Sequence, residues 1–210
     1  MAISNIQRDA TIGSPTNNWE DSITISHTDG SLRLQGDATQ WEDLRFPASG
    51  INPPGTLGDA DVDNTTFYGT LLFDDASTEI MAGVAQMPHA WKEGSAIYPH
   101  LHWGAVNTSG GDVIWKFAYE IQNINSPFTG SLLSAQYTVS ATTNANDHQL
   151  TPLHGGTGID MTGKKISCMM YWVVSRIGGS DTLAGDARVW EFDIHYEVDA
   201  FGSNSLYVKD

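Results

Sequence analysis

Two histidines sit two residues apart in Gly94-Ser95-Ala96-Ile97-Tyr98-Pro99-His100-Leu101-His102. On a β-strand that spacing sends both imidazoles to one side, where they could share a metal ion. A second constellation is Asp59, Asp61 and Asp63, three alternating carboxylates that could gather around calcium. An EF-hand also needs Gly at its sixth loop position and Glu at its twelfth; Asn64 and Thr70 stand there, which excludes that motif. A looser calcium site and a solvated acidic loop both stay open. His154-Gly155-Gly156-Thr157-Gly158 has the glycine content of an oxyanion-binding loop, but no Gly-x-Ser-x-Gly nucleophile elbow exists to serve it, so a turn is expected. Cys168, the one cysteine, lies in an apolar run with no His or Asp beside it and reads as a small buried hydrophobe. Neither a P-loop nor a dinucleotide fingerprint occurs.

The Gly94–His102 stretch resembles the first half of the cupin signature. A cupin then requires a Glu three or four residues on, where this chain has Trp103-Gly104-Ala105-Val106-Asn107, and its second His motif is missing. The expectation is therefore a histidine pair on a sheet face or at a contact between subunits, with no metal and no cofactor. His100 and His102 are the metal candidates if there is one.

These residues need strands to position them, and the chain supplies them. Ser22–Ser26 and Ser31–Gln35 flank an Asp29-Gly30 turn and predict a hairpin. Period-2 alternation predicts strands over 67–73, 112–122, 131–140 and 187–198, and further strands are expected over 79–87, 96–103 and 166–177. In the last, Trp190, Phe192, Ile194, Tyr196 and Val198 should face inward, and Glu191, Asp193, His195 and Glu197 outward. The 166–177 run is apolar on both faces, which suits a central strand or an interface. Thr39-Gln40-Trp41-Glu42 has capping-box spacing and predicts a short helical turn over 40–45. Residues 47–64 carry Gly50, Pro53, Pro54, Gly55 and Gly58 and should form a long loop. Trp103, Trp115, Trp172 and Trp190 read as core, while Trp19, Trp41 and Trp91 lie beside loops, where they could stack on a sugar or anchor a partner. No helical period intervenes between strands. The expected fold is all-β: a two-sheet antiparallel sandwich of jelly-roll type over 19–210, preceded by an extended N-terminal arm over 1–18.

Charge narrows the function. Ten Lys and Arg against 25 Asp and Glu give a net charge of −15, and no basic run exists. Nucleic-acid binding through phosphate neutralisation and docking to an anionic membrane are excluded as expectations. The N-terminus has no basic start and no apolar h-region, so a secretory signal is not expected, and no apolar stretch reaches the length of a membrane span.

Trp41-Glu42-Asp43-Leu44-Arg45-Phe46-Pro47, Ile51-Asn52-Pro53-Pro54-Gly55, Pro99-His100-Leu101-His102-Trp103 and Phe192-Asp193-Ile194-His195-Tyr196-Glu197-Val198-Asp199 together resemble small virion proteins of tailed bacteriophages and prophages. The resemblance implies a particle-associated jelly roll and carries over no catalytic residue. One form is a capsid decoration (cement) protein that binds across major capsid subunits. The alternative is a fibre or tail accessory protein that binds a carbohydrate or receptor, and a cupin-like metalloenzyme is the third reading. Under the first reading the contact segments are the arm, through Ile3 and Ile6, and the loop region, through Trp41, Pro53 and Pro54. The aromatic content and the doubly apolar 166–177 strand point to a homo-oligomer, a trimer before a dimer.

Overall fold

The computed structural model describes residues 10–13, 20–26, 28, 30–51, 53 and 58–209. Its strands are β1 (Ala10–Gly13), β2 (Ser22–Ile25), β3 (Leu32–Gln35), β4 (Gln40–Pro47), β5 (Asp61–Val62), β6 (Leu71–Phe73), β7 (Thr78–Gln86), β8 (Tyr98–Ala105), β9 (Gly111–Gln122), β10 (Leu133–Ala141), β11 (Gln149–Pro152), β12 (Met169–Ile177) and β13 (Ala187–Val198). Every ladder is antiparallel. One sheet runs β10-β9-β12-β7; the other runs β11-β8-β13-β6-β5, with β4 pairing β13 beyond the end of β6. Counting the β4/β6 edge as one rung and β7 to β13 as the next seven, the orders are 1-8-3-6 and 2-7-4-5. That interleaving is the jelly roll, two Greek keys folded face to face.

The core lies between the two sheets. Trp103 of β8 meets Trp115 of β9 edge-on at 5.6 Å, and Phe192 of β13 lies 4.4 Å from Trp172 of β12. All four are buried, as is Trp91, which the sequence placed beside a loop. Cys168 is buried too, and burial pushes its thiol up to about 11, so it is inert as a nucleophile.

Several expectations are corrected. Residues 40–45 form no helical turn; they belong to β4, an eight-residue strand against β13. Thr39 does not cap, because its one hydroxyl hydrogen is shared between the Gly36 carbonyl and the Glu197 carboxylate. Leu44 and Phe46 alternate onto the core, and a full ladder outweighs one capped turn. The strand expected over 67–73 shrinks to β6, because the Asp63 carboxylate accepts the amides of Thr65, Thr66 and Phe67 and winds that segment into a turn. Trp190 does not face the core: a bulge between Val189 and Glu191 turns it to the outer surface. Residues 10–13 of the expected arm pair with β2, extending the 22–35 hairpin to three strands. Ile3, Ile6 and Pro54 lie outside the described residues; Pro53 is half-buried and Trp41 exposed. Among the described residues no helix is long and apolar enough to cross a membrane.

Glu79 shows how acidic groups are carried. It is buried, accepts the Asp74 amide at 2.7 Å, and is pushed up to about 7, mainly by burial and further by Asp74, Asp61 and Asp186. A carboxyl that holds its proton more tightly folded than unfolded stabilises the fold below about pH 4.5, and that contribution is lost as pH rises toward 7. Glu79→Gln should therefore be more stable than the parent by about 2–3 kcal/mol at pH 8 and nearly equal to it at pH 4. Urea unfolding at the two pH values checks this; a gap that does not change with pH would refute it.

Candidate functional site

The outward row of each strand in the larger sheet builds one polar surface. On β8 it is Tyr98, His100 and His102; on β13 it is Glu191, Asp193 and His195; on β4 it is Trp41, Asp43 and Arg45. Register places Asp193 opposite His100, Glu191 opposite His102, His195 between Tyr98 and Asp43, and Arg45 beside Asp193. β11 contributes Leu150 opposite His102, with His148 just before it. Five of the seven histidines collect here, because His154 packs edge-on against Tyr98 at 5.1 Å.

The contacts are close. His100 Nε2 touches Asp193 Oδ1, and His102 Nε2 is 3.2 Å from Asp193 Oδ2. His102 Nδ1 is 2.6 Å from His148 Nε2, and His195 Nε2 is 2.9 Å from Asp43 Oδ1. The His100 and His195 rings lie 4.2 Å apart. Burial works against a charge on His100, yet the Asp193 carboxylate outweighs it and raises the imidazole pKa above its ordinary value. Arg45 and Glu191 form a bidentate pair at 2.5 and 2.7 Å along the rim.

Beside this cluster the cleft continues between Trp41, Tyr98, His154 and His195. Trp41 is 59% exposed and meets Tyr98 edge-on at 5.4 Å. Trp190 flanks the opposite side, packed against His148. His154 Nδ1 accepts the amides of Gly156 and Gly158, so the glycine-rich segment is a closed turn and presents no oxyanion hole. Burial lowers the His154 pKa.

The expected pairing of His100 with His102 is only part of the arrangement. His102 is held by Asp193 and His148, whereas Asp193 and His195 join His100 in one tight group. The alternation His-x-His on β8 and Asp-x-His on β13 is visible in the sequence; that the two strands are neighbours is not. Among the described residues the three carboxylates of the acidic loop do not converge. Asp63 spends both oxygens on Thr65, Thr66, Phe67 and the Arg188 guanidinium, and that partnership holds its carboxyl far below the usual range. Among the described residues the only group of three or more His, Cys, Asp or Glu donors close enough for one ion is His100, Asp193 and His195.

No protein-family model matches the chain, and no curated protein matches it by sequence. Solved structures give fold-level likenesses. The CBM36-1 domain of a multidomain xylanase from the hindgut metagenome of Trinervitermes trinervoides aligns at TM-score 0.41 and 11% identity, over 73% of this chain and 96% of that one. A family two carbohydrate esterase from Cellvibrio japonicus aligns at 0.36 and 10%, over 80% of this chain and 37% of the esterase. TmCBM61 in complex with beta-1,4-galactotriose aligns at 0.29 and 12%, over 76% and 88%.

Proposed function

We propose that this chain is a non-enzymatic binding module of a phage particle, of the fibre or tail accessory kind, and that the outer face of its six-stranded sheet binds carbohydrate. The observation that carries this reading is the exposed Trp41, set edge-on to Tyr98 at the mouth of a cleft lined by imidazoles and carboxylates. A sugar offers an apolar C–H face and a rim of hydroxyls. An exposed indole meets the first, and Asp43, Glu191 and the histidines meet the second by hydrogen bonding. A rigid sheet holds these groups in place before the ligand arrives, which lowers the entropic cost of binding.

The test is titration of a panel of bacterial-surface and plant polysaccharides against the full chain and Trp41→Ala. One ligand class should bind, and Trp41→Ala should weaken it about 30-fold, the loss typical of an anchoring aromatic. Retained affinity in the variant, or no binding by the parent, would refute the reading.

One observation favours shell decoration instead. The β1–β3 extension and the C-terminal segment leave Ile12, Phe201, Leu206 and Tyr207 exposed, apolar surface of the kind that neighbouring capsid subunits could cover. Copy number in purified particles separates the two: hundreds for a shell protein, at most dozens for a fibre or tail protein. The homo-oligomer reading draws its support from β12, a central strand whose outward Tyr171 lies beside the exposed Val84 of β7.

A further inference from the structure

The buried floor of the cleft poses an electrostatic problem. His100 and Asp193 have side chains only 4% and 6% exposed. Nδ1 of His100 lies 3.3 Å from the carbonyl oxygen of Tyr98. A carbonyl can only accept, so Nδ1 carries the ring hydrogen, and in the neutral imidazole Nε2 presents a lone pair. In that state the lone pair meets Asp193 Oδ1, a buried carboxylate oxygen with no other hydrogen-bond partner among the described residues. Two acceptors in contact inside a protein repel, and each has lost its water. A cation shared between them removes both costs: a proton does so as an imidazolium–carboxylate pair, and a metal ion can take the proton's place.

A third donor stands ready. His195 gives its Nε2–H to Asp43, which leaves Nδ1 as the free acceptor. One donor atom each from His100, Asp193 and His195 lies within 4.8 Å of the others. The surrounding bonds are those that orient metal ligands. Asp43 and the Tyr98 carbonyl fix the two histidine tautomers, and His102, braced by His148, fixes Asp193 through Oδ2.

We propose that His100, Asp193 and His195 bind one divalent transition-metal ion of the zinc type. Two imidazoles and one carboxylate suit a borderline ion better than calcium, which takes oxygen ligands in larger number. Three protein ligands leave a fourth tetrahedral position, and the half-exposed His195 turns it toward the cleft. There a water or a ligand hydroxyl completes the shell. The proposal does not depend on the carbohydrate reading, since the ion binds with or without a sugar.

The test uses the full chain stripped of metal by chelation. Calorimetric titration with zinc, and with cobalt read by its visible absorption, should give one ion per chain at micromolar affinity or tighter. His195→Ala should weaken it about 100-fold, and Asp43→Ala about 10-fold through the lost orientation of His195. His89→Ala should change nothing, because His89 is engaged elsewhere by Ser203 and Ser167. No saturable binding by the parent, or unchanged binding by a folded His195→Ala, overturns the proposal. If that variant does not fold, X-ray absorption of the zinc-loaded parent decides: fewer than two imidazoles in the shell also overturns it.

Discussion

Arg176→Met should destabilise the domain by about 3–5 kcal/mol, the loss expected when one partner of a buried ion pair is removed. The side chain is fully buried in β12 and spends all five of its N–H groups. Nε and Nη2 donate to the two oxygens of Asp181, at 2.9 and 3.0 Å. Nη2 also donates to the Leu183 carbonyl, and Nη1 donates to those of Phe73 and Gly185. One guanidinium thus fastens the 181–185 loop to β12 and to the end of β6 in the opposite sheet. Methionine matches the stem but leaves a fully buried Asp181 carboxylate with only the Ile114 amide, and takes the guanidinium from three carbonyls. Lysine should rescue little, since three donors on a point cannot replace a planar fork of five. Adding Asp181→Asn to Arg176→Met should recover only part of the loss, because the carbonyls stay unmet. Urea unfolding of the three variants measures this; a cost below about 1 kcal/mol for Arg176→Met would mean water replaces the guanidinium at no penalty, and the account would fail.

The departures from the sequence reading have physical causes. Long period-2 or apolar runs stood out: β13 has the bounds its alternation predicts, and β9 and the apolar β12 lie close to theirs. β4 was hidden by a coincidence, since Thr39 and Glu42 have capping spacing while Leu44 and Phe46 carry the strand's core face. β11 is four residues long, too short for any period to register. Arg176 passed inside an apparently apolar run, where a single buried cation hardly alters the pattern. The site was half legible for a related reason. His100 and His102 are neighbours in sequence, but Asp193 and His195 come to them only because β13 pairs with β8, and register across some ninety residues is set by the folded sheet. The bulge that turns Trp190 outward belongs to the same class: it is a property of two strands together, invisible in either alone.

Gly83→Ala should cost about 1–3 kcal/mol, although alanine suits most strand positions better than glycine. Gly83 stands directly opposite Trp172 on the neighbouring strand, and the indole lies over the space a side chain would fill. A Cβ there would come within 2.4 Å of Trp172 Cζ2 and 2.8 Å of Cε2. The ring cannot easily withdraw, because Phe46 and Phe192 hold it at 5.5 and 4.4 Å. Trp172→Phe removes the fused ring and also deletes a buried indole N–H that has no acceptor, so part of its cavity cost is offset. The phenyl ring vacates the volume the new methyl needs. The double variant should therefore be more stable than the sum of the singles implies, by about 1–2 kcal/mol of favourable coupling. Strict additivity, to within about 0.5 kcal/mol, would mean the clash is relieved by backbone movement and not by the ring. Phe192 precedes Asp193 on β13, so the same aromatic packing that Gly83 admits fixes the strand from which Asp193 and His195 reach the cleft. Gly83→Ala should accordingly weaken the proposed zinc binding as well as stability, and Trp172→Phe in the same chain should recover part of both together.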